Sequence, residues 1–156
     1  MVLILTGQYV NRRMKKRIFS LRQLIVLIEN IDCHISFSRK TIVEIISDLI
    51  GGEELKLRTM RELIRCDNGN FSDSWKSSVE KFSSEDCLNK EDKNILLSFG
   101  KSLGITDTNG QTSNCRLHKV MLEKQLNEAE EKLKEKSKVN TAISFFLALS
   151  IVIIFC

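Results

Sequence analysis

Residues 18–35 read IFSLRQLIVLIENIDCHI, and their pattern governs how the rest of the chain is interpreted. Apolar residues return every three or four positions, at Ile18, Leu21, Leu24, Ile25, Ile28, Ile31 and Ile35. Because an α-helix completes one turn in about 3.6 residues, this spacing places the apolar residues on one face of a helix. The stretch predicts one long helix with a buried face, continuing the N-terminal apolar residues into the domain.

Composition extends the helical interpretation to the whole chain. The 156 residues contain no proline and seven glycines, so the turn signals that a chain of many strands needs are scarce. Short connections between consecutive helices favour antiparallel neighbours. We therefore expect an all-α fold, a compact bundle of about six antiparallel helices with apolar membrane-associated ends.

Five further helices follow the first, each bounded by a capping residue or a turn signal. Their predicted ranges are 38–50, 53–66, 72–82, 89–103 and 110 to the chain end. Ser38 and Ser72 are the predicted N-caps of the second and fourth helices. Trp75 has the spacing of a core residue, which we favour over an aromatic binding role.

The last predicted helix changes character along its length. Its predicted inner stripe consists of Leu117, Met121, Leu122, Leu126, Ala129 and Leu133. On its outer face, Glu128 with Lys132 and Glu130 with Lys134 have the spacing of favourable pairs one turn apart. At its start, Gly104 and Asp107 suit a turn with a glycine at positive φ and an aspartate N-cap. Asp107 and Gln111 are interpreted as structural, with a partner contact as the alternative.

Both ends of the chain are apolar. Residues 139–156 contain no charged residue and are long enough for a transmembrane helix, since about 17 to 25 apolar residues suffice. A buried core helix of a soluble domain is the alternative. Residues 1–10 are too few to span a bilayer, so they predict a partial anchor, either an interfacial foot or the end of a longer hydrophobic helix. The predicted domains are thus 1–10, a helical bundle at 11–138, and a transmembrane helix at 139–156.

Basic residues flank both apolar ends. They are Arg12, Arg13, Lys15, Lys16 and Arg17 near the first, and Lys132, Lys134, Lys136 and Lys138 before the second. Positive residues beside membrane segments stay on the cytoplasmic side, so the bundle is predicted to be cytoplasmic. The same residues can attract anionic lipid headgroups. No aromatic residue is interleaved with the first cluster, which argues against a nucleic-acid partner.

The sequence contains no recognisable catalytic signature. It has neither of the glycine-rich phosphate-binding patterns, and its five cysteines include no pair spaced for a zinc knuckle. Cys115 lies one turn from His118, and Cys33 adjoins His34, so a composite metal site is conceivable, but ordinary thiols are the favoured interpretation. We expect no enzymatic activity, no cofactor, no metal and no small-molecule substrate.

Three segments carry a resemblance to a known family. Residues 96–107, followed by Gln111, resemble the pattern Leu-Gly-x-x-Leu-Gly-x-x-Asp-x-x-x-Gln. Residues 71–75 are similar to an acidic-x-Trp element, and residues 31–44 resemble Leu-Glu-x-Glu-Ile-x-Tyr followed by Leu-x-Glu, although His34, Phe37 and Thr41 depart from that family's sequence. This pattern resembles the stage III sporulation protein AB family of spore-forming bacteria, which is related to type II secretion F platform proteins.

The resemblance implies a function and a location. It implies a non-enzymatic membrane platform in the channel, or feeding-tube complex, between mother cell and forespore, on the mother-cell side at the outer forespore membrane. The implied partners are a secretion-type ATPase and other channel components. Two alternatives stay open: a membrane-tethered helical adaptor outside sporulation, and a self-associating homo-oligomer whose coiled-coil seam would run through positions 122, 126, 129 and 133.

Overall fold

The computed structural model describes residues 2–38, 40–51 and 71–155, and within these the side chains of residues 11–38, 40–49, 71–81, 83 and 86–136. Five helices occupy these ranges: α1 Val2–Phe37, α2 Ile42–Gly51, α3 Phe71–Glu85, α4 Lys90–Ser102 and α5 Thr108–Phe155. The described part of the chain is all-helical, as predicted. The helix predicted at 53–66 lies outside the described residues, so a count of six helices stays a prediction.

The two longest helices, α1 and α5, pack against each other along much of their length. Lys119 of α5 contacts Glu29 of α1 at 2.6 Å, and further along α5 Glu130 contacts Arg22 at 2.7 Å. Position numbers rise in α5 as they fall in α1, so the pair is antiparallel. The face predicted for α1 is confirmed, because Ile18, Leu21, Leu24, Ile25, Ile28 and Ile31 are buried and Ile35 packs partly buried against them.

Helices α3 and α4 complete the core around one aromatic residue. Trp75 of α3 is 1% exposed, and its indole N–H donates to the carbonyl oxygen of Leu96 in α4 at 2.7 Å. Its ring meets that of Phe99 edge to face, with centroids 5.8 Å apart. Trp75 is therefore a core residue, as predicted, with its one polar atom satisfied.

The ends of α2 and α3 differ from their predicted caps. The hydroxyl of Thr41, not Ser38, accepts the Glu44 amide hydrogen at 3.3 Å, while the Glu44 carboxylate accepts the Thr41 N–H at 2.7 Å. This reciprocal capping box explains why α2 begins at Ile42. The Ser38 hydroxyl accepts the Lys40 N–H instead. Ser72 lies inside α3, which begins at Phe71, so its predicted capping role is wrong.

The turn between α4 and α5 follows the prediction. Gly104 has φ +79°, a conformation that favours glycine because a Cβ atom would be strained there. Asp107 then caps α5, since its carboxylate accepts the Gly110 N–H at 3.0 Å. These two residues let the chain reverse direction over a few positions.

The inner stripe predicted for α5 is partly wrong. Leu117 and Met121 are exposed, at 54% and 41%. Among residues 108–136 of α5, the buried positions are Gln111, Cys115, His118, Leu122, Gln125 and Ala129. They alternate spacings of four and three residues, so they form one continuous seam, but half of its residues are polar: Gln111, His118 and Gln125. The hydrophobicity pattern instead selected Leu117, which adjoins the buried His118, and Met121, which adjoins the buried Leu122.

Within the part of the chain whose side chains are described, no helix carries an apolar stretch long enough to cross a membrane. The side chains of the two predicted membrane segments, 1–10 and 139–156, lie outside that part. The predicted transmembrane helix and domain boundaries therefore stay predictions.

The contact between Trp75 and Gly100 generates the first prediction. A Cβ atom added at Gly100 would overlap Trp75 Cδ1 and Nε1, and no side-chain rotation of alanine relieves this overlap. We expect Gly100→Ala to destabilise the fold by about 1–3 kcal/mol through overpacking. Urea unfolding followed by fluorescence measures this directly, because Trp75 is the chain's one tryptophan. Ser98→Ala, at an exposed position of the same helix, is the control and should shift stability by less than about 0.5 kcal/mol. Equal stability of the two variants would contradict the packing argument.

Candidate functional site

A polar cluster around the buried carboxylate of Asp92 joins α1, α4 and α5. Arg17 Nε donates to Asp92 Oδ2 at 2.7 Å, and Arg17 Nη2 donates to Asp92 Oδ1 and to Gln125 Oε1, both at 2.9 Å. The Asn89 side-chain amide also donates to Gln125 Oε1, at 3.4 Å. We call these four residues the polar network. They come from positions as much as 108 residues apart.

The polar network is combined with a helix cap. The Asn89 backbone N–H donates to Asp92 Oδ2 at 2.9 Å, and the Asn89 side chain accepts the Asp92 N–H at 2.7 Å. Asp92 is fully buried, and the side chain of Arg17 is 13% exposed. A buried carboxylate needs a charge partner and hydrogen-bond donors to offset desolvation, and Asp92 has both. The arrangement holds three helices in register and leaves no free nucleophile.

Sequence reasoning missed the polar network. Arg17 belongs to the basic cluster that flanks the first apolar end, and its pairing with a buried carboxylate was not predicted. The available signal was the spacing of Asn89 and Asp92, which fits a capping box. Nothing local indicates that an arginine 75 residues away completes the site.

A second cluster of polar side chains holds the corner between α4 and α5. Gln111 Nε2 donates to the carbonyl oxygen of Ser102 at 3.2 Å and to the hydroxyl of Thr106 at 3.1 Å. The Ser102 hydroxyl donates to Asn114 Oδ1 at 2.8 Å. Gln111 is 4% exposed, so it acts inside this corner, in agreement with its structural interpretation. Asp107 is exposed and serves as the cap described above.

The cysteines and histidines of the conceivable metal site lie in different surroundings. Cys115 is buried and His118 packs against Phe99, with ring centroids 5.3 Å apart, while its Nδ1 lies 2.9 Å from the Asn114 carbonyl oxygen. Cys33 is exposed. The described side chains include no group of three or more residues placed to hold a metal ion. Cys33, Cys87 and Cys115 are free thiols.

Two clefts lie along the α1–α5 pair. The first, of about 320 Å³, is bordered by Ile28, Glu29, Asp32, Cys115, Arg116 and Lys119. In it, the hydrogen bond from Lys119 to Glu29 raises the pKa of the lysine. Burial, and secondarily the charge of Asp32, raise the pKa of the Cys115 thiol to about 12. This thiol is therefore protonated and unreactive at neutral pH.

The second cleft has a volume of about 450 Å³. It lies between the N-terminal part of α1 and the C-terminal part of α5. We call it the terminal cleft, and it is bordered by Asn11, Lys15, Ile18, Arg22, Glu130, Leu133 and Lys134. Glu130 forms its 2.7 Å ion pair with Arg22 of α1. The i to i+4 spacing alone pointed instead to Lys134 as the partner of Glu130. Tertiary packing thus brings basic residues from both flanking clusters to one cleft.

These features define an all-α helical bundle, in which the described buried polar groups tie helices together. The family model for stage III sporulation protein AB matches residues 1–156, and the chain belongs to this family. A solved structure described as "Stage III sporulation protein AB (SpoIIIAB)" is similar to it, with a TM-score of 0.63 and 19% identity over 76% of this chain and 97% of that chain. At that identity the likeness shows the shared fold. No curated protein matches the chain. Family membership supports a role in the sporulation complex and implies protein partners.

The polar network generates the second prediction. Arg17→Met leaves the buried Asp92 charge uncompensated, so we expect a loss of about 3–5 kcal/mol in the free energy of unfolding. The matched control is Arg22→Met, because the Arg22–Glu130 pair has side chains 62% and 41% exposed and should contribute at most about 1 kcal/mol. Urea titration followed by Trp75 fluorescence compares them. Similar losses in the two variants would show that burial does not distinguish these pairs.

The third prediction concerns the thiols. At pH 8, iodoacetamide should alkylate Cys33 well before Cys115, since Cys33 is exposed and Cys115 is buried with a pKa near 12. Peptide mapping by mass spectrometry at successive times gives both rates within one sample. In urea the two rates should converge. Equal rates in the folded protein would refute the buried position of Cys115.

Proposed function

We propose that this protein is a non-enzymatic membrane platform component of the channel, or feeding-tube complex, between mother cell and forespore. It docks a secretion-type ATPase and supports channel assembly together with other channel components. The observation that carries the proposal is the match of the sporulation family over residues 1–156. The polar network and the α4–α5 corner support it, because their side chains are engaged in holding helices, as a scaffold requires.

The proposed membrane arrangement has a cytoplasmic bundle at 11–138, a C-terminal transmembrane helix at 139–156 and a partial anchor at 1–10. It corresponds to the cell membrane on the mother-cell side, at the outer forespore membrane. The antiparallel packing of α1 and α5 supports this arrangement. Two antiparallel helices bring the N-terminal end of one and the C-terminal end of the other to the same side, so both apolar segments would meet one bilayer.

The proposed mechanism treats the bundle as a rigid platform with a type II secretion F-like fold. ATPase docking, or ATPase movement, would be passed through the bundle to assembly or gating of the channel ring. Rigidity is needed for this, and the buried pairing of Arg17 with Asp92 supports it by linking the first described helix to the last two. A platform of this kind needs no catalytic group of its own.

One of the alternatives loses support. A homo-oligomer built on the seam at 122, 126, 129 and 133 would need these side chains to be accessible. Leu122 and Ala129 are at most 1% exposed in the folded chain. Because intramolecular packing occupies this seam, self-association through it would require the bundle to open. The adaptor alternative is separated from the platform by the next experiment.

The fourth prediction tests ATPase docking. The full chain in lipid nanodiscs, titrated with the secretion-type ATPase of the sporulation complex, should show saturable binding by biolayer interferometry. Empty nanodiscs are the control for binding of the ATPase to lipid. Asp107→Ala should retain parental affinity if Asp107 is only a helix cap. No binding by folded, inserted protein would favour the adaptor alternative, whereas loss of binding by a folded Asp107→Ala variant would assign Asp107 a partner contact.

A further inference from the structure

The terminal cleft combines uncompensated positive charge with an apolar floor. Lys15 on α1 and Lys134 on α5 are exposed, and within the described part of the chain neither forms an ion pair. Arg22 is already paired with Glu130. Ile18, which is 7% exposed, and Leu133, which packs partly buried against the core, supply the apolar surface between them. Three cationic side chains and one carboxylate leave the cleft with a net positive charge.

The terminal cleft lies at the distance from the apolar segments at which lipid headgroups are found. Lys134 precedes residue 139 by five positions, which is about 7.5 Å along a helix. Lys15 follows residue 10 by the same number of positions, on the antiparallel neighbour. The headgroup layer on each side of a bilayer is about 5–8 Å thick. If the apolar segments meet the bilayer as in the proposed function, on which this step rests, both ammonium groups lie at headgroup depth.

We propose that the terminal cleft is a binding site for the headgroup of an anionic phospholipid. The ammonium groups of Lys15 and Lys134 donate to phosphate oxygens from opposite sides of the cleft. Ile18 and Leu133 form the apolar floor of the cleft beneath the bound headgroup. Arg22, held by Glu130, closes the end of the cleft that lies farther from the membrane. Because the two lysines come from different helices, the bound lipid also joins α1 to α5 at the membrane end.

The cleft differs from the next two positions of the basic cluster in its partners. Lys16 lies 3.5 Å from Asp86, and Arg17 is committed to the polar network. These residues are neighbours of Lys15 in sequence, but their charges are directed toward carboxylates of the bundle. Lys15 and Lys134 are the pair in this cleft that remains available for an external anion.

The test uses the full chain in a neutral detergent, titrated with dihexanoyl-phosphatidylglycerol and followed by isothermal calorimetry. Dihexanoyl-phosphatidylcholine and inorganic phosphate are separate arms. We expect saturable binding of the anionic lipid, and weaker binding by about fivefold for each lysine replaced, hence about 25-fold for Lys15→Gln/Lys134→Gln. Lys76→Gln/Lys101→Gln removes the same charge from exposed positions on α3 and α4 and should leave affinity unchanged. Unaltered Trp75 fluorescence unfolding shows that both variants are folded.

Each contrary outcome has a definite meaning. Equal weakening in both double variants would reduce the effect to net charge and overturn the site. Binding of inorganic phosphate as strong as that of the lipid would assign the cleft to a free anion instead. Failure of the chain to insert into vesicles would refute the membrane arrangement, while insertion without cleft-dependent lipid binding would refute the lipid site alone. ATPase binding by the Lys15→Gln/Lys134→Gln variant, measured in parallel, separates this site from the docking function.

Discussion

The pairing of Arg17 with the buried carboxylate of Asp92 fixes the relative placement of α1, α4 and α5. Removing either partner would leave the other group desolvated, which costs more than the pair contributes when intact. The carboxylate also closes the cap of α4, and the guanidinium reaches Gln125 on α5. Arg17 and Asp92 thus connect the N-terminal cap of α4 with α1 and α5. Apolar packing alone is less selective, because leucine and isoleucine faces tolerate small shifts along a helix axis.

Other polar groups in the core are arranged on the same principle. At the α4–α5 corner Gln111 donates to the Ser102 carbonyl oxygen and the Ser102 hydroxyl donates to Asn114 Oδ1, while the Trp75 indole N–H donates to the Leu96 carbonyl oxygen. Each contact is directional, so it selects one arrangement among many that bury similar area. This organisation suits a protein whose family works within a larger assembly, since partner surfaces must be held in fixed relation. The terminal cleft adds positive charge at the end of the α1–α5 pair, which in the proposed membrane arrangement faces the lipid headgroups.

Prediction from sequence succeeded where periodicity is strong and local. The buried face of α1, the core role of Trp75, the positive φ of Gly104 and the Asp107 cap are all confirmed. Prediction failed where a polar residue takes a core position. In α5 the seam contains Gln111, His118 and Gln125, whose burial depends on partners in α1 and α4 that no local pattern reveals. The cap of α2 lies at Thr41 and not at Ser38 for a related reason: several serines and threonines can cap, and packing selects among them.

The sequence by itself determined the helical class, the length of the first and last helices, the apolar and basic character of both ends, and the family. These follow from propensity, spacing and composition, which act over a few residues. Only the tertiary structure decided that Arg17 belongs to the core, that Leu117 and Met121 face solvent, and that Lys15 and Lys134 border one cleft. Burial and electrostatic pairing join residues many positions apart, and their free energy depends on distances that exist only once the helices have packed.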